Sequence, residues 1–153
     1  MSEDVFSGEY DRSVDNAGRI SLPAILHELL GDRCYATKDP QGCIALRTPG
    51  RYAEEANKVA RREEKGKAPK GAARAFSTRT VILAVDKQGR LTLDDSSRKF
   101  AHVGAGTQAK VVGITDVIEI WNPQRWDVIK GEDAFGTPDR VWPTDVSEVD
   151  GHE

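Results

Sequence analysis

Apolar and polar positions alternate in short runs along this chain, and the runs come in two sets. Residues 9 to 14 and 19 to 22 read as short strands around a loop containing Asn16 and Gly18, the pattern of a tight hairpin. Pro23 suits the first turn of a helix expected over 23 to 30, with Ile25, Leu26, Leu29 and Leu30 on one face and Gly31 at its end. Strands follow at 33 to 38 and 42 to 47, joined through the turn-forming Asp39-Pro40-Gln41-Gly42. Thr48-Pro49 then opens a helix, because Thr caps free amides and proline loses no hydrogen bond at the first position. Its buried stripe is expected to be Tyr52, Ala56 and Val59.

The second set places strands near 80 to 85, 90 to 93, 108 to 113 and 117 to 121. Helices are expected near 95 to 102 and from Asn122-Pro123 onward. The likeness extends to residue identity. Asp15-Asn16-Ala17-Gly18-Arg19-Ile20-Ser21-Leu22 is echoed by Asp86-Lys87-Gln88-Gly89-Arg90-Leu91-Thr92-Leu93 at an offset of 71 residues. Cys43 to Tyr52 is echoed by Val117 to Trp126 at an offset of 74. Two blocks in the same order imply duplicated structure. Gly18 and Gly89 supply the positive φ that such reversals require.

Four short strands in about 45 residues bury too little surface to stand alone, so each unit must interlock with a partner. The internal duplicate is the nearest candidate, and leftover strand edges favour association between chains. The expected organisation is a first repeat at 5–52, a helix and linker at 53–78, a second repeat at 79–126 and an acidic, mostly disordered tail at 127–153. Arg61 to Gly71 is charged and broken by glycine and proline. Its interleaved glutamates favour a solvated loop after a fraying helix over a DNA-binding patch.

Composition narrows the class. Of 153 residues, 38% are hydrophobic and 31% charged, which suits small units with much surface for each residue of core. The apolar runs are far too short to cross a bilayer. The opening MSEDVFSGEY has no basic stretch leading into an apolar one, so a cytoplasmic location is expected. Cys34 and Cys43 make no disulfide framework and lack the spacing of a zinc pair; both are expected to be buried in strands, and no metal or cofactor is expected. His27, His102 and His152 have no Ser, Cys or carboxylate partner at motif spacing, so no catalytic residue is assigned and the chain is read as a non-enzyme. The net charge of −3 runs against a nucleic-acid binder until its distribution is considered. Residues 127–153 carry −6, which leaves +3 on residues 1–126.

The doubled D-x-x-G-R-[IL]-[ST]-L pattern, Leu22-Pro23 after its first copy, Ala73-Arg74-Ala75-Phe76 before its second, and Ile118-Glu119-Ile120-Trp121 together resemble the MraZ family over roughly residues 5 to 130. The resemblance implies a mainly β fold with short helices (α+β), in which two tandem SpoVT/AbrB-like swapped-hairpin half-barrels form one pseudo-symmetric barrel. It also implies a nucleoid-associated repressor of its own division and cell-wall gene cluster. Such a regulator binds tandem promoter repeats in double-stranded DNA as a ring-shaped homo-oligomer, with no small-molecule substrate and no membrane partner. Asp15, Arg19, Asp86 and Arg90 match the family's DNA-facing D-x-x-x-R loops. Ala17 stands where members often carry Lys. Asp94-Asp95 replaces a frequent Ile-Pro, which caps the following helix and puts negative charge near the second loop.

The residue types suit DNA. An Arg on a rigid hairpin offers two parallel donors to guanine O6 and N7, a contact worth roughly 1 to 3 kcal/mol of discrimination. Carboxylates repel phosphate, so Asp15 and Asp86 are assigned to orienting the Arg or closing the loop, together with Gly18 and Gly89. Lys87, Arg12 and Lys110 are candidates for phosphate contacts, which position a protein without specifying sequence. A surface ion pair alone would explain one Asp-Arg spacing, but not the same spacing in both loops. Trp121, Trp126 and Tyr52 are read as packing residues rather than base-stacking platforms. The alternative function is an AbrB-like antitoxin, which normally carries a single copy of the repeat.

Overall fold

The structure, a computed structural model, describes residues 4–133. The described residues divide into two units, the first ending at Asn122 and the second starting at Pro123. The first runs β1 (Glu9–Ser13), β2 (Arg19–Ser21), α1 (Ala24–Leu30), β3 (Arg33–Lys38), β4 (Ile44–Arg47), α2 (Pro49–Glu64), α3 (Ala72–Thr78), β5 (Thr80–Ala84), β6 (Arg90–Thr92), α4 (Asp95–Ala101), β7 (Gln108–Ile114) and β8 (Val117–Trp121). The described part of the second unit is α5 (Pro123–Glu132), started by proline where Asn122-Pro123 predicts it, with Trp126 as its buried residue. The fold is mainly β with five short helices among the described residues.

Six strands form one antiparallel sheet in the order β1-β7-β8-β4-β3-β5, and β2 and β6 pair as a separate two-stranded ribbon. Exchanging the two repeats reverses the six-strand order onto itself. The first strand of each repeat pairs with the third strand of the other, Tyr10 opposite Val111 and Tyr35 opposite Ile82. The fourth strands meet at the centre, where Leu46 lies opposite Ile118. Neither repeat completes its sheet alone, as the small area of each unit requires.

The alternation of the sequence decides which face is buried. Ile20 and Leu91 lie opposite each other in the ribbon and are fully buried, whereas Ser21 and Thr92 beside them are exposed. The ribbon thus covers the core with one face and meets solvent with the other. Val14, Leu22, Leu26, Leu30, Ile44, Leu46, Val85, Leu93, Val103, Val111, Ile118 and Ile120 belong with them to one cluster drawn from both repeats. Each large side chain fully buried in it contributes about 1.5–3 kcal/mol.

Local chemistry explains most element ends. Thr48 caps α2, its hydroxyl accepting from the Arg51 amide at 3.1 Å, with Pro49 at the first position. Asp94 caps α4 through the Ser97 amide at 3.1 Å and the Ser97 hydroxyl at 2.7 Å. Pro23 lies one residue before α1, which ends at Gly31. Ile25, placed by the sequence on the inner face of α1, points outward and is 54% exposed, so that face rests on Leu26 and Leu30.

The linker differs from its sequence reading. The helix that begins at Pro49 continues through Glu64, inside the stretch read as a loop, and residues 72–78 form α3. The Glu63 carboxylate accepts from the amides of Gly71 and Ala73, both at 2.8 Å, and so caps α3. Tyr52 stacks between Tyr35 (4.5 Å) and Phe76 (5.3 Å), and the Arg47 guanidinium lies 5.7 Å from the centre of the Phe76 ring. The stripe Tyr52, Ala56 and Val59 is half-buried rather than buried. The acidic tail drawn from residue 127 begins inside α5, and residues 134–153 lie outside the described residues.

Candidate nucleic-acid interface

Each turn before the ribbon is closed by its own aspartate. In the first, Asp15 Oδ1 accepts from the amides of Ala17 (2.9 Å) and Arg19 (2.8 Å), and Oδ2 accepts from Arg19 Nε at 2.7 Å. The backbone adds Gly18 N–H to the Asp15 carbonyl at 2.9 Å and Asp15 N–H to the Arg19 carbonyl at 3.0 Å. This is a three-residue hairpin loop with a left-handed glycine at its end, Gly18 having φ of 81°. The second turn repeats it bond for bond. Asp86 Oδ1 accepts from Gln88 (2.9 Å) and Arg90 (2.8 Å), Oδ2 accepts from Arg90 Nε (3.0 Å), and Gly89 has φ of 80°.

The aspartates therefore both close the loop and orient the Arg. The Arg19 amide, then the Arg19 side chain and the Ala17 amide, hold the Asp15 carboxyl below its ordinary value against a smaller opposing effect of desolvation. Asp86 is lowered in the same way by Arg90 and Gln88. Gripping each guanidinium by Nε leaves its Nη1 and Nη2 edge turned away, with no partner among the described residues. The Arg19 side chain is 42% exposed and that of Arg90 37%.

Register puts both arginines on one surface. Arg19 lies opposite Thr92 and Arg90 opposite Ser21, so all four share the face away from Ile20 and Leu91. Arg19 and Arg90 are diagonal neighbours on it, on the order of 7–8 Å apart. Their turns leave opposite ends of the ribbon, which spreads the two loops along the strand direction.

The other candidates divide. Lys87 is exposed and has no partner among the described residues. Arg12 gives Nε to the Ser21 carbonyl (3.1 Å) and Nη1 to the Asp11 carbonyl (2.9 Å), tying β1 to β2. Lys110 lies 2.6 Å from Asp11 and 3.3 Å from Glu9. These carboxylates, Asp11 foremost, raise its pKa and bind its ammonium within the sheet. Asp94 and Asp95 follow the second loop in sequence but lie beside the first, because the antiparallel ribbon brings the Leu93 amide to the Gly18 carbonyl at 3.1 Å. The Asp95 charge there is met by Arg98 (3.3 Å) and Lys99 (3.2 Å).

Two neighbours of the loops escaped sequence reasoning. A Cβ on Gly18 would collide with the Arg98 guanidinium, and one on Gly89 would lie 3.0 Å from His27 Nδ1. His27 and Arg98 stand 71 residues apart, the offset of the repeat, which is the signal that could have paired them with the loops. The remaining residues singled out in the sequence lie elsewhere. Trp121 is fully buried, its Nε1 bonded to Glu119 Oε1 at 2.8 Å, and Tyr52 lies in the aromatic stack. His102 ends α4 with φ of 58°, and His152 lies outside the described residues. Cys34 and Cys43 are buried free thiols; burial pushes Cys34 up to about 12 and raises Cys43 as well. No helix among the described residues is long and apolar enough to cross a membrane.

The fold is a pseudo-symmetric, mainly β protein with twin arginine-bearing turns on its two-stranded ribbon. Residues 76–137 match the family model described as "MraZ protein, putative antitoxin-like". A Desulforamulus reducens protein named Transcriptional regulator MraZ is 32% identical over 80% of this chain and 85% of its own length. Proteins of the same name from Lactobacillus delbrueckii subsp. bulgaricus (31% identity, 84% of this chain and 88% of the relative) and Roseiflexus castenholzii (28%, 85% and 90%) are similar over comparable spans. The chain belongs to the MraZ family. Its relatives carry the name of transcriptional regulators, not of enzymes.

Proposed function

We propose that this protein is a sequence-specific DNA-binding transcriptional regulator that reads promoter DNA with Arg19 and Arg90. The observation that carries the proposal is the shared solvent face of the β2–β6 ribbon, where each guanidinium is clamped at Nε and turns its Nη edge outward. That edge supplies the two parallel donors that guanine O6 and N7 accept in a major groove. Asp15, Asp86, Gly18 and Gly89 preorganise the loops; Lys87 and the remaining Nη2 of Arg12 contact phosphate and set position rather than sequence.

The two repeats act as interlocked swapped-hairpin halves of one pseudo-symmetric unit, a reading supported by the exchange of first strands between them. One such face grips DNA weakly, so the working form is a homo-oligomeric ring whose neighbouring copies hold tandem promoter boxes at once. The outer edge strand β5, with exposed Val81 and Ile82, is consistent with such association. The protein acts on the nucleoid, in the cytoplasm, as a repressor of its own division and cell-wall gene cluster.

The test is fluorescence anisotropy on duplexes from the chain's own upstream region, a tandem array against a single repeat cut from it. The array is expected to bind more tightly, and log Kd to rise steeply and linearly with log salt. Equal affinity for the array and the single repeat overturns the multivalent reading. Equal affinity for the array and scrambled DNA overturns sequence-specific recognition.

A further inference from the structure

The two loops match bond for bond within themselves but are backed differently. Behind Gly18 stands Arg98 of α4, only 19% exposed; behind Gly89 stands the half-buried His27 of α1. The supports occupy equivalent repeat positions, and each reaches across to the other repeat's loop. Arg98 Nη1 donates to the Leu93 carbonyl, Nη2 donates to Asp95 at 3.3 Å, and the Leu93 amide donates to the Gly18 carbonyl. Loop 1 is thus closed into a circuit: Gly18 carbonyl to Leu93, Leu93 to Arg98, and the guanidinium back over Gly18. Loop 2 keeps the first link, the Leu22 amide donating to the Gly89 carbonyl at 2.8 Å, but the imidazole against Gly89 makes no hydrogen bond among the described residues.

We propose that Arg98 and His27 are positioning residues for the two arginine-bearing loops, and that their difference makes the loops unequal. Arg98 fixes loop 1 so that Arg19 is held in one aim, whereas His27 supports loop 2 by contact alone and leaves Arg90 adjustable. Arg19 therefore discriminates one base strictly, and Arg90 accommodates variation between boxes. This assignment of roles in recognition rests on the DNA-binding reading; the difference in loop rigidity does not.

Two measurements on the full chain keep these apart. Amide hydrogen exchange followed by NMR without DNA is expected to show Ala17 and Arg19 better protected than Gln88 and Arg90. Arg98→Ala should accelerate Ala17 and Arg19 alone, and His27→Ala should accelerate Gln88 and Arg90 alone. The same variants are then titrated with the upstream array. Arg98→Ala is expected to weaken binding about tenfold and to add nothing once Arg19 is Ala, while its effect multiplies with that of Arg90→Ala. Arg98→Lys, which keeps charge without the planar fork, should recover little of this loss, and circular dichroism checks that every variant folds. Loop amides that do not respond to their own support, or an Arg98→Ala effect that multiplies equally with both arginine variants, overturn the inference. The expected exchange pattern in a protein that binds no upstream duplex overturns the DNA reading and leaves the loop difference standing. If Arg98→Ala does not fold, the comparison is made with Arg98→Gln, judged by the same outcomes.

Discussion

Two carboxylates in this chain do similar work with different results, and the contrast separates a recognition loop from a connector. Asp15 and Glu63 each accept two backbone amides from a glycine-containing turn, and both have lowered pKa values because of it. Asp15 meets its amides with one oxygen and keeps the other for Arg19 Nε. Glu63 commits both oxygens to the start of α3. The first arrangement delivers an oriented cation to solvent. The second only joins two helices.

The strongest way to break the contrast is at the cations. Arg19→Ala and Arg90→Ala are each expected to cost roughly 1–3 kcal/mol of discrimination on upstream DNA and together to abolish specific binding, with melting temperature little changed. An unchanged preference for the array over scrambled DNA in the double variant would sink the assignment of these residues.

Backbone strain comes next. Gly18→Ala forces a side chain into left-handed backbone and onto Arg98, and is expected to cost about 1–3 kcal/mol of stability by urea denaturation. Gly89→Ala should cost less, because His27 leaves slightly more room. The reverse order would mean that Arg98 yields more easily than the imidazole.

Neutralising the carboxylates sharpens the comparison directly. Asp15→Asn should lower DNA affinity, by less than Arg19→Ala does, with little change in melting temperature. Glu63→Gln should lower melting temperature and leave affinity alone. If each variant moved both quantities, the division of labour between the two carboxylates would not hold.

The smallest effect is with pH. Asp15, Asp86 and Glu63 have folded-state pKa values below their ordinary ones, so their contribution is complete above the ordinary carboxylate range and is lost as pH falls through the lowered values. The urea midpoint attributable to them should be flat from neutrality to about pH 5 and fall below about pH 4. Glu63→Gln should make that fall shallower; an identical acid limb would show that Glu63 adds nothing.

Much of this was legible in the chain because it depends on neighbours in sequence. The paired turns need only Asp, Gly and Arg at fixed spacing, and the α2 start needs only Thr48-Pro49. The part that was not legible depends on contacts made after folding. Glu63 caps a helix that begins well beyond it, so α3 looked like linker. Arg12 and Lys110 read as free cations until strand pairing set them beside the Ser21 carbonyl and Asp11. Arg98 carries no local signal in the sequence, because the glycine it covers belongs to the other repeat.

The reversible order of the six-stranded sheet also bears on how the chain is made. A ribosome delivers Glu9 long before Val112, the residue it pairs with, so β1 leaves the exit tunnel with no strand to join. Until β7 emerges, that edge is open to any passing strand, including those of sister chains on the same message. Splitting the gene at the linker should yield two fragments that are each insoluble when expressed singly and recover together when co-expressed.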